Sequence, residues 1–356
     1  MRIVFALPGS GDAPVGGFKV VYAYAGGLAE RGHEVSVLHP ARLNFDASFA
    51  DRTRGMARYL RLRATGQYDP RSWFSMHPRV RVSWVPSLDA RHVPDADVVV
   101  ATAWQTAEWV VRYPSRTGRK YYLIQSLETW SGPESRVLAT WTLPLRKIVI
   151  ARWLENVATR LGQDAVYIPN GLDLTEFGVD VLPESRDPRS VLMMFHHLPV
   201  KGSGDGLAAM RSLREEFPDL SLHLFGVPEP PSDLPAWAIY HRQPRRSELR
   251  RLYNEAAVFL SPSRTEGWAL PPAEAMLCGA ALAATDIGGH ADYATHEDTA
   301  LLSPPERPDL LAANIERYFL EPELRIRLAH RGAAWVREFT WPKALDRFEA
   351  ELQRDA

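Results

Sequence analysis

A chain of 356 residues is long for one typical domain and comfortable for two, each able to bury its own core. Apolar residues make up 46%, charged residues 24%, and the formal net charge is −1, a balance without the basic excess of a nucleic-acid binder, so no nucleic-acid partner is expected. One cysteine, Cys278, excludes an internal disulfide framework and a cysteine-based metal cluster; no apolar run approaches the roughly 18 to 20 residues of a membrane span, and a cytoplasmic location is expected.

Residues 2–7 read as a buried parallel strand, 8–17 as a long glycine-rich loop, 18–31 as a helix closed by Gly32, and 34–38 as the next strand, which makes a βαβ unit. The loop lacks the G-x-G-x-x-G spacing, so a dinucleotide fingerprint is poorly supported. Between 51 and 65, five arginines (52, 54, 58, 61 and 63) interleave with Met56, Tyr59, Leu60 and Leu62. That pattern fits a basic amphipathic helix, serving either as a solvated face or as a contact, spanning 52–63, to an anionic membrane surface or acidic acceptor.

Asp95-Ala96-Asp97 is a literal D-x-D, but it precedes the strand 98–101 instead of following one, so it reads as polarity at the strand start. Trp104 opens the next helix. With Gln105 it offers an aromatic platform and an amide to an acceptor, or else it is core. The strand 121–124 ends at a loop carrying Gln125 and Glu128; carboxyl ends of parallel strands bind ligands, which makes both candidates for an acceptor site, the alternative being a plain loop. A strand at 148–150, a helix at 152–161 and a strand at 165–168 continue the alternation to Pro169-Asn170-Gly171-Leu172-Asp173. The following segment, rich in Pro, Asp and Glu with weak periodicity, reads as a linker.

A second alternating series starts with the strand 190–195. Its loop 196–204 holds His196, Lys201 and Gly202, where an ammonium in a glycine-rich strand-to-helix turn suits a diphosphate; a solvated lysine is the plainer reading. A strand at 220–226 follows, then Arg242 and a capping-box-like Ser247-Glu248, with arginines 242, 245, 246, 250 and 251 that otherwise only solvate a helix.

The most informative stretch is 257–276. Ala257 to Leu260 is a buried strand, 264–270 a loop, and Pro271-Pro272 pre-set a first helical turn, in which Glu274 is expected. Free N–H groups around Ala269 and Leu270, with the positive end of the helix dipole, suit a diphosphate. Glu266 and Glu274 then flank it as hydroxyl acceptors, which describes a nucleotide sugar. On the plainer reading Glu274 complements the dipole and Glu266 is solvated. Strand 280–284, helices 308–319 and 323–339 and a last helix 342–352 complete the series.

Pro262-Ser263-x-x-Glu266-Gly267-Trp268-x-Leu270-Pro271-x-x-Glu274-Ala275-Met276-x-x-Gly279 resembles the E-x7-E signature of the retaining GT-B glycosyltransferases of the GT4 family, glycosyl transferases group 1. Lys201-Gly202, the Gly16-Gly17 pair ahead of Leu28-Ala29-x-x-Gly32-His33, the Pro-Asn-Gly-x-Asp at 169–173 and the Gly288-Gly289 turn, with Asp292 for the usual Glu, extend the likeness over nearly the whole chain.

The resemblance implies an α/β protein with two Rossmann-like domains facing each other across a cleft: 1–172 binding the acceptor, 173–189 a linker, 190–339 binding the nucleotide sugar, and a C-terminal helix, 340–356, crossing back to the first domain. It also implies that Glu274 holds the ribose hydroxyls, that Glu266 contacts the donor sugar, and that the amides of Trp268, Ala269 and Leu270 meet sugar and phosphate. Lys201 pairs with the phosphate as a catalytic group, Gly16 and Gly17 admit the donor, and Arg242 lies near the base. Two positions depart from the family: His196 stands where Arg is usual, and Trp104 where many relatives place a histidine.

The activity so implied moves a sugar from a nucleotide-diphosphate donor to a small-molecule, glycan or lipid-linked hydroxyl acceptor, with retention and with neither metal nor cofactor. The alternatives are a nucleotide-sugar epimerase of the same fold and a degenerate partner-binding subunit.

Overall fold

The computed structural model describes residues 1–354. Among them the chain divides into two compact units, Met1–Asn170 with the segment from Pro342 onward, and Gly171–Trp341.

The first unit runs β1 (Arg2–Ala6), α1 (Gly16–Glu30), β2 (Glu34–Arg42), α2 (Phe49–Thr65), β3 (Arg81–Ser87), β4 (Val98–Ala101), α3 (Trp104–Val110), β5 (Arg119–Ile124), α4 (Glu134–Trp141), β6 (Arg146–Val149), α5 (Arg152–Arg160) and β7 (Ala165–Tyr167). All pairings are parallel, in the order β3-β2-β1-β4-β5-β6-β7. Continuous apolar runs such as Val98 to Ala101 are buried on both faces, as a sheet covered by helices on both sides requires. The order reverses between β1 and β4, so the ends of those strands open the crevice in which such sheets bind ligands.

The second unit runs β8 (Ser190–Met194), α6 (Ser203–Glu216), β9 (Ser221–Gly226), β10 (Ala238–Arg242), α7 (Arg246–Glu255), β11 (Val258–Ser261), α8 (Leu270–Leu277), β12 (Ala281–Thr285), β13 (Ala300–Ser303), α9 (Pro308–Leu320) and α10 (Pro322–Val336). Its parallel sheet, β10-β9-β8-β11-β12-β13, repeats the doubly wound order of the first, and the switch lies between β8 and β11.

The last helix, α11 (Trp341–Gln353), lies against the first unit. Phe348 stacks on Tyr24 at 4.2 Å and on Phe5 at 6.1 Å between ring centroids, while Glu349 accepts from Arg31 at 2.6 Å and pairs with His33 at 2.7 Å.

Several expectations are corrected in detail. Gly16 and Gly17 form the first turn of α1 instead of the end of a loop, because the backbone is helical from Gly16 onward. Residues 173–189 are built into the second unit: the buried Arg186 donates to the carbonyls of Val181, Ala256, Tyr253 and Cys278, and Asn254 accepts from the amides of Asp180 and Val181. Ser247 does not cap α7, which begins at Arg246; Glu248 instead pairs with His241 at 3.2 Å. β3, β10 and β13 were not foreseen as strands. Asp95 and Asp97 are committed to Arg116 and Arg2, at 2.8 and 3.0 Å.

Candidate active site

In the second unit β11 delivers the chain to a loop whose side chains are held from three directions. Lys201 Nζ lies 2.7 and 2.8 Å from the two carboxylate oxygens of Glu266, and Ser263 Oγ donates to Oε1 at 2.9 Å. Lys201 reaches this position from a short 3₁₀ turn, Pro199–Lys201, followed by Gly202 at φ 61°. A Cβ on Gly202 would sit 1.9 Å from the carbonyl oxygen of Pro262, so only glycine lets the two loops approach. Gly289 plays the same part on the other side, since a Cβ there would lie 2.3 Å from Cβ of Glu266. Two sequence-distant glycines thus clamp the Lys201–Glu266 pair. Sequence reasoning quoted Ser263 and Gly289 inside motifs without assigning them this work.

The start of α8 offers fewer donors than its sequence promises. Ala269 N–H is already bonded to the Gly289 carbonyl at 3.2 Å, and Pro271 and Pro272 have no N–H. The expectation of a free amide at Ala269 is therefore corrected, and Leu270 is left as the donor of that first turn. Glu274 falls in the second turn, not the first, because the helix begins at Leu270. It is buried, and Tyr253 Oη donates to its Oε2 at 3.2 Å. Trp268 is buried edge-on to Tyr293 and Phe339, and its indole N–H has no partner.

His196 is not a second cation beside Lys201. Its Nδ1 accepts from Leu198 N–H at 3.0 Å, and burial, reinforced by the Lys201 charge, holds its pKa below the usual value. His290 ties the ends of β11 and β12 together: Nδ1 donates to Thr285 O at 2.8 Å while Nε2 accepts from Ser261 Oγ at 3.0 Å. Burial lowers its pKa, which fits this neutral tautomer. Arg242, at the end of β10, forms a 2.6 Å surface pair with Glu229. Cys278 is buried, and its thiol is pushed up to about 12 by desolvation.

In the first unit Gly16 and Gly17 open α1 behind Val15, which caps it with no side chain. A Cβ on Gly17 would lie 3.4 to 3.6 Å from the side-chain amide of Gln125. Trp104 is not an open platform: it is 5% exposed, the Arg136 guanidinium lies 5.3 Å from its ring centre, and Gly132 presses against its edge. Its backbone N–H donates to Glu128 Oε2 at 2.9 Å, and its indole N–H donates to Ser131 Oγ at 3.0 Å. Gln105 is half-buried beside it. Among the described residues no group of three or more His, Cys, Asp or Glu is arranged to hold a metal ion, and no helix is long and apolar enough to cross a membrane.

With this geometry established, the chain can be set beside known proteins. Residues 179–335 match the family described as Glycosyl transferases group 1. The chain is 27% identical to a phosphatidyl-myo-inositol mannosyltransferase of Mycolicibacterium smegmatis, over 96% of this chain and 90% of the relative. A D-inositol 3-phosphate glycosyltransferase of Jonesia denitrificans is 27% identical over 40% of this chain and 38% of its own length. Among solved structures, sucrose-phosphate synthase from Thermosynechococcus elongatus superimposes with a TM-score of 0.74 at 17% identity, covering 99% of this chain and 98% of that one. Anabaena HepE in complex with UDP-glucose gives 0.75 at 14% identity, covering 99% and 100%. The two doubly wound sheets and these neighbours agree on a GT-B fold, and the second unit matches the glycosyl transferases group 1 family over residues 179–335.

Proposed function

We propose that the chain transfers a sugar from a nucleoside-diphosphate donor to a hydroxyl acceptor, with retention at the anomeric carbon and without a divalent metal. One observation carries this reading: the Glu266 carboxylate, locked by Lys201 and Ser263 at the carboxyl end of β11, next to the start of α8. Donor binding separates the pair. Glu266 turns to the sugar hydroxyls, Lys201 meets the diphosphate, Glu274 accepts from the ribose, and the amides of Trp268 and Leu270 meet sugar and phosphate. Gly202 and His196 shape the phosphate loop, Arg242 borders the base, and Gly16 and Gly17 present backbone N–H groups to an anion.

The family resemblance implies retention, and the residues suggest a route to it. An inverting reaction needs a base opposite the leaving group; Trp104 cannot accept a proton, and that route would have to use His33, Glu128 or Asp12 instead. A double displacement needs a carboxylate nucleophile, whereas Glu266 and Glu274 are engaged with hydroxyls. Front-face displacement remains. The acceptor oxygen bonds to the anomeric carbon as the bond to the phosphate oxygen breaks, the acceptor's proton passes to the departing diphosphate, and Lys201 stabilises the charge that develops there.

The first unit supplies the acceptor side through Gln105, Gln125 and Glu128, with Trp104 as their support. The names of two relatives point to inositol-bearing acceptors, and α2 would suit a lipid-linked one. Phe49, Met56 and Leu60 are exposed on it among Arg52, Arg54, Arg61 and Arg63, a combination that favours an anionic lipid surface at the membrane's inner face. Calorimetric titration with UDP- and GDP-sugars in excess chelator tests the reading. Binding that persists in chelator and weakens roughly tenfold or more in Glu274→Ala is expected, since an unpaired buried ribose hydroxyl costs about 1–3 kcal/mol. Magnesium-dependent activity, or no nucleotide-sugar binding at all, contradicts it.

A further inference from the structure

The loop after β5 contains a carboxyl group whose structural role, accepting the first N–H of α3, occupies only one of its two oxygens. Glu128 has φ 59°, a left-handed conformation rare for a residue with a side chain, and the turn that imposes it is firmly built. Ser131 donates to the Glu128 carbonyl from both its amide and its hydroxyl, each at 2.9 Å, and Trp104 braces Ser131 through its indole N–H. Arg136, which stacks on Trp104, is itself occupied by Glu108 at 2.7 Å and Asp46 at 3.2 Å. Persistent strain in an over-determined turn is found where a side chain must be aimed.

What is aimed is a half-paired carboxylate. Oε2 takes the Trp104 N–H; Oε1 has no partner and is not sealed from solvent. Among the described residues no cation lies against the group. Tyr122 on β5 is the titratable side chain that feels its charge, and its hydroxyl is directed to Thr140. Desolvation raises the Glu128 carboxyl to about 7, opposed by the Trp104 N–H. Three residues back along the same loop, Gln125 Oε1 is buried and also without a partner, and its side chain borders the first turn of α1. The loop therefore carries two acceptor atoms without donors near the ends of β1, β4 and β5: Glu128 Oε1 open to solvent, and Gln125 Oε1 shielded beside Gly17, so that it reaches a ligand by a turn of its side-chain amide. A ligand that satisfies both must bring two donors of its own.

We infer that Glu128, in its ionised form, and Gln125 bind neighbouring hydroxyls of a polyol acceptor, with Trp104 as the positioning residue that holds Glu128 in place. The inference rests on the glycosyltransferase reading above and deepens it. The pinned hydroxyls are not the attacking one, whose proton stays free to pass to the leaving diphosphate. A polyol with adjacent hydroxyls fits; an acceptor carrying an anionic group at this point does not. Acceptor affinity then depends on pH through Glu128: it is strong above about 7 and weakens as the carboxyl is protonated.

The test uses the intact protein and Glu128→Gln, with myo-inositol and phosphatidylinositol in mixed micelles as acceptor probes and a nucleotide sugar that the calorimetric titration has shown to bind. Apparent KM for acceptor and for donor is measured from pH 5.5 to 8.5, alongside thermal stability. The expected result at pH 8 is an acceptor KM raised roughly tenfold in Glu128→Gln, with donor KM unchanged and stability equal or higher. The wild-type acceptor KM climbs towards the variant's as pH falls, and the variant's profile is flat. Lost stability in Glu128→Gln, or a pH step that survives in it, overturns the inference in favour of a structural carboxylate. Donor binding without transfer to either polyol overturns the acceptor class while leaving the donor reading intact. A wild type that binds no nucleotide sugar removes both.

Discussion

Lys201 and Glu266, sixty-five positions apart in sequence, form a bidentate ion pair in the second unit, with Nζ 2.7 and 2.8 Å from the two carboxylate oxygens. Their side chains are 24% and 12% exposed, so neither charge is freely solvated and each holds the other ready. A donor carrying a diphosphate and a polyol satisfies both groups at once, which makes exchange of partners the central event of binding.

Lys201→Ala should therefore lower kcat much more than it raises donor KM, because charge on the leaving diphosphate grows in the transition state. His196→Ala should do less, since His196 is neutral and serves Leu198 N–H. Steady-state kinetics on the two variants decide it. A rise in KM alone for Lys201→Ala makes the lysine a ground-state binder, and equal losses make His196 a working cation.

Gly202→Ala should cost about 2 kcal/mol or more of stability and most of the activity. The substitution combines a left-handed φ of 61° with a Cβ 1.9 Å from Pro262 O, and relieving the clash displaces Lys201. Urea denaturation gives the stability and donor titration the site effect. A variant as stable and active as wild type means that the loops are held apart from one another in solution.

Glu349 on α11 is held below the usual carboxylate range, first by Arg31 and then by His33. A depressed carboxyl contributes stability above its unfolded value of 4.5 that is lost as pH falls through the lower folded value. Glu349→Gln should accordingly destabilise the first unit by about 1 kcal/mol at pH 7, and the difference should fade below pH 4. Thermal melts at pH 7 and pH 3.5 check this. A difference that persists at the acid pH assigns the loss to packing around Phe348 and not to charge.

The parts of this molecule legible in sequence are those written in local chemistry. β8 and β11 are short apolar runs, Lys201-Gly202 sits where a strand turns into a helix, and Pro271-Pro272 marks the start of α8 to within a residue. β3 escaped notice because it is an edge strand whose exposed Arg81 and half-exposed Val82 and Ser83 dilute its apolar pattern. The site's finer features depend on partners far along the chain. Ala269 N–H is capped by a carbonyl twenty residues later, Trp104 is covered by Gly132 and Arg136, and Glu266 is backed by Gly289. No local pattern encodes such contacts, so residue type suggested an open amide at Ala269 and left Trp104 between platform and core, where folding closes both.

The measurement that bears most directly on the account is the anomeric configuration of the transferred sugar. With a donor that the protein binds and a polyol acceptor, the anomeric coupling constant and nuclear Overhauser contacts in the product's proton NMR spectrum report whether the donor's configuration survives. The account predicts a product with the donor's own anomeric configuration, formed in excess chelator and lost with Lys201→Ala. A product of inverted configuration would require a base in the first unit, and would contradict front-face displacement assisted by Lys201.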